Sequence, residues 1–184
     1  MQLVPAIVRR HPRATLVIVL VGIALLVFGI LWFEPQKLFL EERVDEARPG
    51  MPAGSTGMEA EMDAAESGGS GSPVLMGGEF IGLEHATSGQ ALVVETGDGR
   101  RFLRFEDFET SNGPDLLVYL SSKAPSGPDD WYGYDEDFVD LGPLKGNVGN
   151  QNYLIPEGVD LDRYSTAVVW CRRFSVGFAA ATLQ

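Results

Sequence analysis

The sequence predicts a mainly β protein, an antiparallel β-sandwich or barrel preceded by one transmembrane helix and a disordered linker. Three observations predict it. Thr15 to Phe33 contains no charged residue; Val44 to Pro73 has six glycines, six acidic residues and no aromatic residue; and Val74 to Gln184 shows short apolar stretches broken by Gly, Pro, Asn and Asp, with no sustained helical period.

The N-terminal elements follow from charge and length. Nineteen residues at about 1.5 Å each cover roughly 28 Å, close to the hydrocarbon thickness of a bilayer. The run is apolar on every face, whereas a buried core helix keeps a polar stripe. It leaves through Trp32-Phe33-Glu34-Pro35 with no small-x-small cleavage site, so it reads as an uncleaved signal anchor over residues 15–33. Arg9, Arg10 and Arg13 precede it, and Glu34, Lys37, Glu41, Glu42 and Arg43 follow. The positive-inside bias therefore places residues 1–14 in the cytoplasm and the rest outside, as a single-pass plasma-membrane protein.

All 26 acidic residues lie beyond the anchor with 11 of the 14 basic ones, so the exported part carries a net charge of −15 within a chain total of −12. Such a balance repels phosphate backbones and excludes a nucleic-acid partner; it also keeps the domain off anionic headgroups. Residues 34–73 form a juxtamembrane segment and an acidic linker too poor in apolar residues to fold, a flexible tether from Val44 onward.

The 111 residues from Val74 suffice for one core. Candidate strands are Glu79–His85, Gln90–Thr96, Arg100–Phe105, Leu116–Ser121, Asn152–Ile155 and Thr166–Phe178. Gly97-Asp98-Gly99 joins the second to the third, since glycine accepts the positive φ of a tight hairpin. Alternation along the last strand puts Val168, Trp170, Phe174, Val176 and Phe178 on one face, and Val169, Cys171, Arg173 and Ser175 on the other, unless a bulge intervenes.

Cys171 is the one cysteine and lies on the side of the membrane where disulfides form, yet it has no partner within the chain. Four readings stand: a packing residue, an intermolecular disulfide, a redox-active thiol, or a ligand to a prosthetic group. Arg172 and Arg173 adjoin it and are placed to favour a thiolate. Of the two histidines, His11 lies on the cytoplasmic flank and only His85 accompanies the domain. Blue copper, c-type haem attachment, an iron–sulfur cluster and structural zinc therefore lack ligands, and no metal site is assigned. A haem held by Cys171, His85 or Met76 stays open. No nucleophile elbow, phosphate loop or dinucleotide fingerprint is present. Gly127 to Asp140 mixes six acidic residues with Trp131, Tyr132 and Tyr134: a solvated loop, a calcium site without EF-hand spacing, or a partner-binding surface.

The order of motifs is distinctive: GEF from Gly78, HATSG from His85, DF at Asp107-Phe108, GPDLLVYLS from Gly113, LGPLKGNVGNQNYLIP from Leu141, and VVWCRRFSVGFAAATL from Val168. From about Gly77 onward the chain resembles the DM thirteen domain family, found beside DOMON modules or alone. The resemblance implies a β-rich fold and electron transfer through a single cysteine, here Cys171, acting as a bare thiol or holding a group such as haem, with an unknown redox partner protein. Turnover of a substrate does not follow from the resemblance, since carrying an electron needs no substrate pocket, and an electron-transfer or binding domain is favoured over an enzyme. Gly113-Pro114 then reads as a turn into Leu116–Ser121, Gly142, Gly146 and Gly149 as tight-loop positions, and Asn147, Asn150 and Gln151 as bonded to loop backbone. A cell-surface interaction module built on the aromatic, acidic loop is the contrasting function.

Overall fold

The computed structural model describes residues 12–33, 41–50 and 72–184, and it divides into two units, 1–39 and 40–184. In the first, helix α1 runs Pro12–Phe33. Its described side chains over residues 15–29 are largely exposed all round, Ile18 and Leu25 by 71% and 66%. Among the described residues no helix is long and apolar enough to cross a membrane. The expected span continues to Phe33, where side chains lie outside the described set, as does most of the basic N-terminus.

The second unit holds ten strands: β1 Arg43–Asp45, β2 Val74–Glu79, β3 Ile81–Gly82, β4 Thr87–Glu95, β5 Arg101–Thr110, β6 Leu116–Ser121, β7 Phe138–Pro143, β8 Val148–Leu154, β9 Thr166–Cys171 and β10 Val176–Thr182. They form two five-stranded sheets, β1-β8-β5-β4-β2 and β3-β10-β9-β6-β7. Every pairing described is antiparallel except β1 with β8. The sandwich expected from the sequence is thus the architecture.

The sheets close over one apolar layer. Val93, Leu103, Phe105 and Phe108 of the first sheet meet Val118, Leu120, Val169, Ala179 and Ala181 of the second. Phe80 crosses between the sheets and packs edge-on against Phe105 and Phe108, with centroids 4.8 and 5.1 Å away. It interrupts the expected strand Glu79–His85, so that β2 belongs to one sheet and β3 to the other. Paired bonds between Gly77 and Gln184, 3.0 and 3.1 Å, join the same region to the C-terminus.

β6 and β9 are buried at every position, on both faces. The reason is a second apolar cluster outside the second sheet: Tyr119, Val168 and Trp170 lie under Tyr134 and the half-buried Trp131. Strands covered on both sides read as continuous apolar runs rather than as alternation.

Besides the divided Glu79–His85 strand, three elements depart most from the sequence expectation. Thr166–Phe178 is two strands, because Arg172 to Ser175 form a turn in which Ser175 takes φ +53°. Cross-strand pairing makes Val176 the partner of Cys171, and a bulge follows at Phe178. The faces are consequently re-sorted: Val169, Cys171, Val176 and Phe178 point into the sandwich, Val168 and Trp170 away from it, and Phe174 into solvent. Phe138–Pro143 is an unanticipated edge strand beside β6. The third departure is β1, since residues 43–45, assigned to the linker by composition, pair with β8, and Ser72 Oγ donates to the Pro49 carbonyl. The two ends that flank the acidic stretch 51–71 therefore lie side by side, and the stretch itself is outside the described set.

The predicted hairpin turn is present. Gly99 takes φ +80°, and Thr96 N–H donates to the Arg100 carbonyl. Hydrogen bonds from Thr96 and then Arg100 hold the Asp98 carboxyl down to about 2.

Candidate functional site

Cys171 ends β9 and has no exposed surface. Three consecutive residues of another segment, Gly113-Pro114-Asp115, close over it. The Pro114 carbonyl accepts the thiol proton at 3.3 Å. Gly113 stands where a Cβ would lie 2.8 Å from Cζ of Phe178, so only glycine brings the chain this close to the ring. Asp115, at φ +66°, accepts the Arg172 backbone N–H at 3.2 Å and both arms of its guanidinium at 2.9 Å. The backbone N–H groups of Phe174 and Arg173, from the turn, also favour the charged form of the sulfur.

These contacts decide the protonation state. Burial pushes the Cys171 thiol up from its ordinary value, and the Asp115 carboxylate adds to the shift; the Phe174 and Arg173 amides and the Arg173 charge oppose it without reversing it. The resting sulfur is therefore a protonated thiol donating to a carbonyl. Arg172 does not tune it in the manner its position in sequence suggests, because its charge is matched by Asp115.

His85 reaches the same end of the sandwich by another route. Leu83 and Glu84 N–H donate to the carbonyls of Phe178 and Gly177, and the half-buried His85 ring lies on Phe178 with centroids 3.9 Å apart. The haem reading fails on this geometry. One candidate ligand is sealed and donates its proton to backbone, the second lies on a core phenyl ring, and Met76 is packed against the core cluster from β2. No group of three His, Cys, Asp or Glu able to hold a metal occurs among the described residues.

The aromatic, acidic segment is bound internally. Asp130 pairs with Lys123 and accepts from Ser126, and Asp137 accepts from Arg163 at 2.9 Å and from Tyr164 at 3.0 Å. Trp131 donates Nε1–H to the Pro128 carbonyl and Tyr134 is wholly buried, which leaves Tyr132, 60% exposed, as the aromatic of this loop most open to solvent. Two surface cavities, of about 480 and 290 Å3, flank Asp107 and are lined by neither Cys171 nor His85.

Sequence reasoning found the sulfur but missed its ceiling. Gly113-Pro114 reads locally as a turn, and nothing near Asp115 points to Arg172, 57 residues away. The signal was a glycine, a carbonyl-only residue and an acid in succession before an apolar strand, facing an arginine beside the one cysteine.

Burial has a consequence at alkaline pH. Cys171, Tyr134 and Tyr153 all have their pKa values raised chiefly by desolvation, so the folded chain holds these protons longer than the unfolded one. Their stabilising effect is complete below the ordinary values near about 9 to 10 and is lost as pH rises through the folded values. The urea midpoint is expected to be level from pH 7 to about 9 and then to fall, less steeply in Tyr134→Phe.

The fold and this site define a β-sandwich built around one sealed thiol at a strand end. The chain belongs to the family described as Electron transfer DM13, which matches residues 79–183, and its domain thereby has an electron-transfer-related role. No curated protein and no solved structure matches the chain.

Proposed function

We propose that this protein is a membrane-anchored, extracytoplasmic electron-transfer module whose redox centre is the bare thiol of Cys171. The observation that carries the reading is that the chain's sole sulfhydryl, inside the family's matched region, ends a strand and is covered by two non-sheet segments, Gly113-Pro114-Asp115 and the turn from Arg172 to Ser175. The uncharged run preceded by three arginines, and the outward-facing apolar side chains of α1, support an anchor in the plasma membrane with the N-terminus cytoplasmic.

With a single thiol, no disulfide can form within the chain, so two-electron exchange requires a thiol or disulfide from outside. The thiol loses its proton when the turn opens, and the thiolate attacks a partner disulfide. A bond forms between Cys171 Sγ and one partner sulfur, the partner S–S bond breaks, and the leaving thiolate takes a proton; a second external thiol reverses the step. The partner is a thiol or disulfide redox protein.

The test is incubation of the full chain with oxidised glutathione at increasing urea. A mixed disulfide at Cys171 is expected to accumulate at a rate nearly independent of urea well below the unfolding transition, to be reversed by thiol, and to be absent in Cys171→Ser. A rate that follows global unfolding throughout defeats the reading. The second reading, a surface-interaction module, is favoured by exposed Tyr132 on a loop braced by Lys123 and Trp131. It requires partner capture lost in Tyr132→Ala and kept in Cys171→Ser.

A further inference from the structure

We infer that the outer edge of β8 is a recognition site for an extended acidic peptide, and that the segment Glu42 to Ala47 is its resident occupant. Two glycines of the GNVGNQN stretch make room for a main chain. A Cβ on Gly146 would stand 2.3 Å from the Glu42 carbonyl oxygen, and one on Gly149, at φ +106°, 2.0 Å from that of Val44. Neither distance is compatible with a side chain while the segment is docked.

The contacts are those of a peptide reader. Backbone pairing sets Arg43, Val44 and Asp45 beside Val148, Gly149 and Asn150, and Glu46 N–H donates to the Asn150 carbonyl at 2.8 Å. Asparagine side chains hold the ends: Asn147 Oδ1 accepts from Glu42 N–H at 2.7 Å, and Asn152 Nδ2 donates to the Ala47 carbonyl at 2.9 Å. Selectivity for acid comes from Asn150 Nδ2, which donates to Asp45 at 2.8 Å, and from Lys145 Nζ, which reaches both Glu46 oxygens at 2.7 and 2.9 Å. Arg104, only 6% exposed, donates to the Glu46 carbonyl at 3.1 Å.

The site is braced without its occupant. Gln151, wholly buried, accepts from Gly146 N–H and donates to its carbonyl, while Tyr153 donates to Gln151 and accepts from Lys145 N–H. Preorganisation of this kind lowers the ordering cost of binding, and strand addition at a sheet edge supplies the main-chain bonds. All the receiving residues lie within 79–183, the part that defines the family, whereas the bound segment lies outside it. A three-residue parallel strand with solvent beyond it is the weakest class of sheet element.

Exchange at this edge sets tether length, a consequence that rests on the anchored reading. Docked, eight residues of sequence, 34–41, separate α1 from the paired segment; undocked, forty, 34–73, separate it from β2.

The test uses the full chain with a protease site placed within residues 51–71. After cleavage, the N-terminal piece is expected to co-purify with the domain at tens of micromolar and to be displaced by a synthetic peptide of residues 41–48. A peptide carrying lysine at both acidic positions 45 and 46 is expected to bind at least about tenfold more weakly, since it loses the charge-assisted bonds. Glu46→Lys in the intact chain leaves the receiving side unaltered and is expected to release the piece after cleavage. Loss of the piece from the unaltered protein on cleavage overturns the inference, as does equal displacement by both peptides or by neither. None of these outcomes depends on Cys171 or on the membrane, so the redox reading fails or survives separately.

Discussion

Cys171 in the folded chain is expected to react with a small thiol reagent about 10^2 to 10^4 times more slowly than free cysteine at pH 7, as local openings costing roughly 3–5 kcal/mol require. The sulfur has no exposed surface, gives its proton to Pro114, and has its ionisation pushed up by burial. The rate is expected to climb with pH, since only the thiolate attacks. Arg172→Ala removes the two-armed clamp on Asp115 that ties the turn to the start of β6. The arginine is largely exposed, so the clamp contributes no more than about 1 kcal/mol, and the variant is expected to react up to about fivefold faster with global stability lowered by no more than that amount. Labelling kinetics with and without urea measure both quantities. An Arg172→Ala rate identical to the parent, with labelling confined to the unfolding transition, would identify Cys171 as a packing residue.

Trp170→Ala is expected to cost about 3–5 kcal/mol, the range for removing a buried large aromatic side chain. The indole is 1% exposed on the outer face of the second sheet, in the cluster with Tyr119, Val168 and Tyr134. Opposite it on β10 is Gly177, whose N–H donates to the Trp131 carbonyl at 2.7 Å. A Cβ there would meet the Leu83 side chain at 2.6 Å and stand 3.4 Å from the Trp131 carbonyl, so the missing side chain leaves room for Leu83 beside the loop. Removing the indole leaves a void beneath that loop. The urea midpoint should fall without a change of slope, and near-ultraviolet dichroism should report loosening around Trp131 and Tyr134. A cost below about 1 kcal/mol would mean that the face is packed too loosely to orient Tyr132.

Much of the fold was legible because it is written in local pattern. The turn at Gly97-Asp98-Gly99 is specified by residues that tolerate its dihedrals, β4 and β6 carry apolar runs, and β5 interleaves apolar with charged residues between breakers. Two kinds of element were not legible. The turn from Arg172 to Ser175 contains neither glycine nor proline, and Ser175 accepts a left-handed φ because the amides of the turn find Asp115 and the sulfur as partners. β7 is an edge strand with alternate residues in water, and its Asp140 and Gly142 look like loop; the neighbouring β6 makes it a strand. At the site, the lone sulfur was visible and the Gly113-Pro114-Asp115 cover was not. The asparagines of the GNVGNQN stretch were expected to bond loop backbone; Gln151 does so, while Asn147 and Asn150 reach across to a segment 105 residues earlier.

By itself the sequence determined the chemical inventory: one thiol and hence no internal disulfide, an uncharged 19-residue run with all 26 acidic residues after it, and a set of apolar stretches that only paired strands can bury. Tertiary structure alone decided which face Cys171 takes, that its thiol is sealed and protonated, and that residues 43–45 join a sheet rather than a tether. The division has a physical cause. Periodicity and turn chemistry act between near neighbours, whereas the direction of a side chain after an unmarked turn, and the strand to which a polar segment pairs, depend on contacts closed across 57 and 105 residues.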